Sequence, residues 1–167
     1  DVIDDLKSEG LWNNDWEASM ELLKRKRKFL AQGFEIPTKN HLVEIFNNFY
    51  FGGHPDGDPS KWKGFILNEP LVISKEFFKE LDRLDIAWGF LSGAERASAK
   101  FVLEGRLGLN KPPLIAMGEA PEKPNPCGLI ELATKLAGRP LGQPDSPSVA
   151  YLGDTVADVL TIIKARE

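Results

Sequence analysis

"IAWGFLS", residues 86–92, is an apolar run that breaks off at a hydroxyl residue, and the same grammar returns in "PLIAMG" at 113–118 and "VAYLGD" at 149–154. None of the three alternates apolar with polar residues, which is the pattern of strands covered on both faces, and each leads into a helical stretch. The repetition predicts an α/β second half, with a parallel sheet joined by helical crossovers. In such sheets ligands bind beyond the carboxyl ends of the strands. The residues to weigh for function are therefore Ser92 with Gly93, the "GEAPEKPNP" loop at 118–126, and Asp154.

Each strand end has a structural and a functional reading. Ser92 followed by Glu95 has the form of a capping box, while its hydroxyl and the adjoining amides, Gly93 among them, also suit an anionic oxygen. Asn125 and Pro126 read as the N-cap and first residue of a helix, which puts Lys123 just ahead of a helix N-terminus, where a cation opposes the dipole unless an anion or carboxylate faces it. Asp154 and Asp158 would cap and enter the last helix. Acids there are favoured by the dipole, yet two carboxylates at i and i+4 repel unless a cation sits beside them. Mg²⁺ is the natural candidate, since it takes hard oxygen ligands from one or two carboxylates together with phosphate and water. A hydroxyl, a lysine and a carboxylate pair on one sheet edge are the parts of a phosphate site.

The chain up to about residue 50 predicts helices. Trp16, Met20 and Leu23 fall at helical spacing, and Thr38 precedes the periodic Leu42, Ile45, Phe46 and Phe49. "FGGHPDGDPSKWKG" at 51–64 is a loop by its Gly, Pro and Asp content, and Ser74 starts a helix carrying Phe77, Phe78, Leu81 and Leu84. The expected division is a helical domain over about 1–80 and an α/β domain over 81–167.

With 167 residues and 42% hydrophobic composition the chain can bury a sizeable core. A formal net charge of -4 argues against general nucleic-acid affinity. The dense "KRKRK" at 24–28 spans more than one helical turn, so its charges spread around the helix as a solvated face. No apolar run approaches the ~20 residues of a membrane span, and a cytoplasmic protein is expected. Cys127 is the single cysteine, which removes a disulfide framework or thiolate zinc site. His41 and His54 have no partners at metal spacing, and Trp12, Trp16 and Trp62 read as packing residues.

"WGFLSGAER", "EKPNP" and "YLGDTVADV", in that order, resemble the second, third and acidic fourth motifs of the haloacid dehalogenase (HAD) superfamily, and "GLWNNDWEASMELL" and "GFILNEPLVI" resemble its subfamily IA phosphatase-like hydrolases. The resemblance implies a Rossmann-like core with a parallel sheet plus a small helical cap domain. It implies a Mg²⁺-dependent phosphatase acting on a small phosphorylated metabolite through an aspartyl-phosphate intermediate. In it Ser92, with Gly93, would bind the phosphoryl group, Lys123 would neutralise its charge, Asp154 would bind the metal, and Asp158 would support the lysine or a metal-bound water. Arg96 is read mainly as a helix residue. The family's first motif, DxDG, which carries the nucleophile on a central strand, has no match here, and "DVIDDLKSEG" reads as a helix. The expectation is that the complete protein carries a preceding segment with that motif, and a last strand after Glu167. A dehalogenase, or a HAD-like binding or regulatory module without turnover, are the alternatives.

Overall fold

The computed structural model describes residues 2–12 and 14–167; Asp1, within the stretch read as the first helix, and Asn13 lie outside the described residues. The chain divides into two compact units, one formed by Asp1–Asn68 with Asp154–Ala157, the other by Glu69–Gly153 with Asp158–Glu167.

The first unit is helical. Helix α1 spans Val2–Ser8, α2 spans Asp15–Lys26 and runs into a 3-10 turn over Arg27–Phe29, and α3 spans Lys39–Tyr50. The caps follow the sequence: Asn14 Oδ1 accepts from the amides of Trp16 and Glu17, and Thr38 Oγ1 accepts from His41 N, so free amides at both helix starts are satisfied. Trp16 meets Phe46 edge-on with centroids 4.6 Å apart, and Phe46 stacks on Tyr50, which ties α2 to α3 through aromatic side chains. The predicted 51–64 loop folds back on its own origin. The Phe51 carbonyl accepts from both Lys63 N and Gly64 N at 2.9 Å, Trp62 Nε1 donates to the His54 carbonyl, and Phe51 packs against Trp62 with both side chains buried. Glycine is required at 64, because a Cβ there would stand 2.3 Å from the Tyr50 carbonyl oxygen.

The second unit begins with α4, Lys75–Arg83, with Ser74 in the expected N-cap position but without a side-chain bond to a helix amide. Asp85, in the left-handed region at φ 57°, ends that helix, and Ile86 N donates to the Leu81 carbonyl in the six-to-one bond of a Schellman turn. Strand β1 is Phe90–Leu91; α5, Arg96–Lys100, continues as a π-helical segment over Phe101–Arg106; β2 is Leu114–Ile115; α6 is Cys127–Ala137 and α7 is Val156–Ala165. The strands are parallel, with Phe90 beside Leu114 and Leu91 beside Ile115, so β1, α5 and β2 form one βαβ crossover. Successive strand side chains point to opposite faces. Trp88 and Phe90 pack on Phe78 of α4, in a cluster with Leu81, Leu103, Leu107 and Leu109. Gly89 and Leu91 face α6, where a Cβ on Gly89 would stand 3.1 Å from Leu132 and one on Gly128 2.9 Å from Leu91. Helices therefore cover both faces of the strand pair, which is why its sequence is apolar without alternation.

The expected Rossmann-like core with its parallel sheet is not what this chain forms. Helix, at 49%, is the dominant element, and among the described residues there is a single two-stranded parallel sheet. Two physical reasons are visible. The strands pair over two residues each, since Pro112 and Pro113 bring no N–H to the ladder ahead of β2. The third apolar run, 149–154, is irregular and belongs to no sheet, with Val149 51% and Leu152 89% exposed. An apolar run becomes a strand only against a partner edge that satisfies its amides and carbonyls.

Candidate functional site

The carboxyl ends of β1 and β2 are held by main-chain bonds that continue past the strands. Ser92 N donates to the Ile115 carbonyl at 2.9 Å and Met117 N to the Ala94 carbonyl at 3.0 Å, which brings the turn after β1 beside the turn after β2. The expected Ser92–Glu95 capping box does not form, because α5 starts at Arg96 with Glu95 as its N-cap residue. Ser92 Oγ instead accepts from Ala94 N at 3.1 Å within its own turn. Ser92 is half-buried and Gly93 exposed with open space where a Cβ would lie.

Arg96 takes a larger part than a helix residue need. Its guanidinium grips the Glu119 carboxylate bidentately and donates to the Leu114 carbonyl at 3.1 Å, while Glu119 Oε2 accepts from Ala116 N at 3.0 Å. The Arg96 guanidinium, and then the Ala116 amide, hold the Glu119 carboxyl down at about 2. This latch ties the first turn of α5 to both sides of β2 across 23 residues of sequence. The sequence offered no signal for Glu119, since the pairing depends on β1 and β2 lying in register.

Helix α6 places the third element. Asn125 Oδ1 accepts from Cys127 N at 3.0 Å, so the expected residue does satisfy a free amide, but from one position further out than expected: Pro126 is the N-cap residue and the helix starts at Cys127. The close approach of Gly128 to Leu91 sets the first turn of α6 against the residue before Ser92. Just ahead of it, before a cis Lys123–Pro124 bond, Lys123 reaches into the unit. Its Nζ is 2.6 Å from Asp158 Oδ1, with the two side chains 15% and 4% exposed. The same oxygen accepts from the Tyr151 hydroxyl at 2.7 Å. Gly153 makes room for this carboxylate, since a Cβ there would stand 2.4 Å from Asp158 Cβ. Tyr151 opens the "YLGDTVADV" stretch but carries no signal there; its role follows from the path of the loop, which no spacing encodes.

The question of how two carboxylates four residues apart coexist thus has a partial answer in protein charge: Asp158 is neutralised by Lys123. It is buried in the first turn of α7, whereas Asp154 is exposed and two residues ahead of that helix, too early to be its cap residue. Among the described residues no group of three or more His, Cys, Asp or Glu side chains gathers as a metal cage. Asp154 fits a Mg²⁺ that keeps most of its shell as water or phosphate oxygen; the Asp158 oxygen already facing an ammonium and a phenol does not suit a second cation. Of the sequence-derived candidates, Lys123 and Asp158 are in direct contact, Ser92 and Gly93 follow the strand on which α6 packs, and Asp154 stands outside these contacts.

Lys123 has three donors, of which Asp158 takes one, so a further anion can be bound without dissolving the pair. Among the described residues no helix is long and apolar enough to cross a membrane. Comparison of the chain with protein-family models, with curated proteins and with solved structures gives no match.

Proposed function

We propose that this chain binds and processes the phosphoryl group of a small phosphorylated metabolite, as a Mg²⁺-dependent phosphohydrolase of the HAD type. The observation that carries the proposal is the Lys123–Asp158 pair. A lysine 15% exposed, oriented at 2.6 Å by a carboxylate that is itself fixed by Tyr151, is an anchored cation with spare donors. Such preorganised charge is what a transferring phosphoryl group needs, because its catalysis rests on positioning and charge neutralisation. In this proposal Lys123 neutralises the phosphate, and the Ser92 hydroxyl and Gly93 amide hydrogen-bond its oxygens. Asp158 is the positioning residue for Lys123, and Asp154 is the carboxylate for Mg²⁺. The metal, when bound, screens the negative charge of the phosphate oxygens. A cytoplasmic setting belongs to the same proposal; Cys127 is an exposed free thiol, the form that reducing compartments maintain.

A second reading is favoured by one feature of the sequence: no DxDG stretch occurs in residues 1–167. A module that binds a phosphorylated ligand without turning it over would use the same Lys123 anchor and need no nucleophile. Titration calorimetry with tungstate, a phosphate mimic, in the presence of Mg²⁺ tests the shared part. Binding should fall at least about tenfold in Lys123→Ala, the equivalent of about 1.4 kcal/mol, and equal affinity of the two proteins would refute both readings. Hydrolysis of an aryl phosphate then separates them: turnover abolished by EDTA and by Asp154→Asn supports the hydrolase, and binding without turnover supports the module.

A further inference from the structure

The "KRKRK" run lies over a groove that the phosphate site leaves unused. In the first unit, Val2, Leu6, Leu22 and Phe29 form an apolar lining between α1 and the C-terminal end of α2, around a volume of about 390 Å³. Phe29 is 71% exposed, a large aromatic ring left in solvent beside that lining. Arg25, Lys26 and Lys28 stand on the rim, with Asp5 of α1 also lining the groove. Arg25 is occupied, bonded to Glu9 and Glu21. Lys26 and Lys28 form no ion pair among the described residues; their ammonium groups lie 5.6 and 5.0 Å from the centroid of the Phe29 ring. The helix-terminal position of these lysines is already explained by the dipole, but two cations converging on one exposed aromatic at the mouth of an apolar groove are not.

We infer that this groove binds a single-chain alkyl carboxylate, with the chain along Val2, Leu6, Leu22 and Phe29 and the head group between Lys26 and Lys28. The volume sits at the lower end of the range for small-molecule sites, about 300–1,000 Å³, which suits one alkyl chain better than a helix or a lipid with two tails. Charge complementarity sets the head group: the unpaired cations are both at the α2 end, and Asp5 on α1 disfavours an anion at the other side. The inference is independent of the phosphate proposal, since every lining residue belongs to α1, α2 or the turn after it.

The test uses the full chain with octanoate, decanoate and dodecanoate below their micellar concentrations, followed by calorimetry. Affinity should rise about 2- to 4-fold per methylene, with one site per chain. Dodecanoate should bind at least about fivefold more weakly to Lys26→Gln/Lys28→Gln and to Phe29→Ala, and unchanged to Lys61→Gln, a charge removed outside the groove; circular dichroism verifies that each variant keeps its helix content. Dodecyltrimethylammonium should bind far more weakly than dodecanoate. Equal affinity for the two head groups, no dependence on chain length, or unaltered binding by the groove variants would each overturn the inference. So would a protein that ignores free dodecanoate while binding anionic-lipid vesicles or an acidic amphipathic peptide.

Discussion

Removing Lys123 should hurt the protein more than removing its partner. In the native pair the Asp158 side chain is 4% exposed and Lys123 15%, so the two mutations strand charges in different surroundings. Deleting one member of a buried ion pair costs about 3–5 kcal/mol when the survivor cannot reach water. In Lys123→Met the survivor is the deeper carboxylate. Tyr151 still donates to it, which offsets about 1 kcal/mol, leaving an expected loss of about 3 kcal/mol. In Asp158→Asn the survivor is an ammonium on a flexible stem that can swing toward solvent, so the loss should be about 1.5 kcal/mol. For a chain of this length that corresponds to a fall in Tm of about 6–12 °C and 3–6 °C respectively. The double variant Lys123→Met/Asp158→Leu should return to within about 1 kcal/mol of the parent, because an apolar pair leaves no buried charge. Urea unfolding followed by circular dichroism gives the three values and their coupling. Losses that add in the double variant, or an Asp158→Asn deficit exceeding that of Lys123→Met, would refute the buried pair as the organiser of this site.

Gly153→Ala should destabilise by about 1–3 kcal/mol, measured in the same unfolding assay, because its Cβ would stand 2.4 Å from Asp158 Cβ and the carboxylate or the loop must give way. Asn125→Ala leaves the Cys127 amide without its acceptor at 3.0 Å and should cost about 1 kcal/mol. The Arg96–Glu119 latch sets an acid limb of stability. The folded-state carboxyl is held at about 2 against an ordinary 4.5, so its contribution is full above 4.5 and disappears as pH falls toward 2. With the Glu119 side chain 35% exposed, solvent screening limits it to about 0.5–1 kcal/mol. Arg96→Gln should flatten that part of the stability–pH curve, and an unchanged curve would show that the latch carries nothing.

The legible parts of this protein were those that depend on neighbours in sequence. The helix starts after Thr38, Ser74 and Asn125 and the 51–64 loop are local events; at Thr38 and Asn125 a side-chain oxygen satisfies an amide two or three residues on, whereas Ser74 holds the N-cap position without such a bond. The strands at 90–91 and 114–115 fall inside two of the apolar runs, and Lys123 and Asp158, which meet at 2.6 Å, are both among the residues that the strand-end reading singles out.

What the sequence by itself determined, then, is where helices begin and which residue types stand at the ends of the apolar runs, because capping and periodicity act over a few residues. Tertiary structure alone decided how many of those runs become strands. The 149–154 run follows the same apolar-to-polar grammar as the others, yet it pairs with nothing in the sheet, since a strand is made by a hydrogen-bonding edge elsewhere in the fold. Tertiary structure likewise decided that Asp158 faces Lys123 and Tyr151 while Asp154 stays in solvent, and that Arg96 closes on Glu119. Those pairings join residues up to 35 positions apart: the register of β1 and β2 brings Arg96 to Glu119, and the placing of α6 and the course of the loop before α7 bring Lys123 and Tyr151 to Asp158.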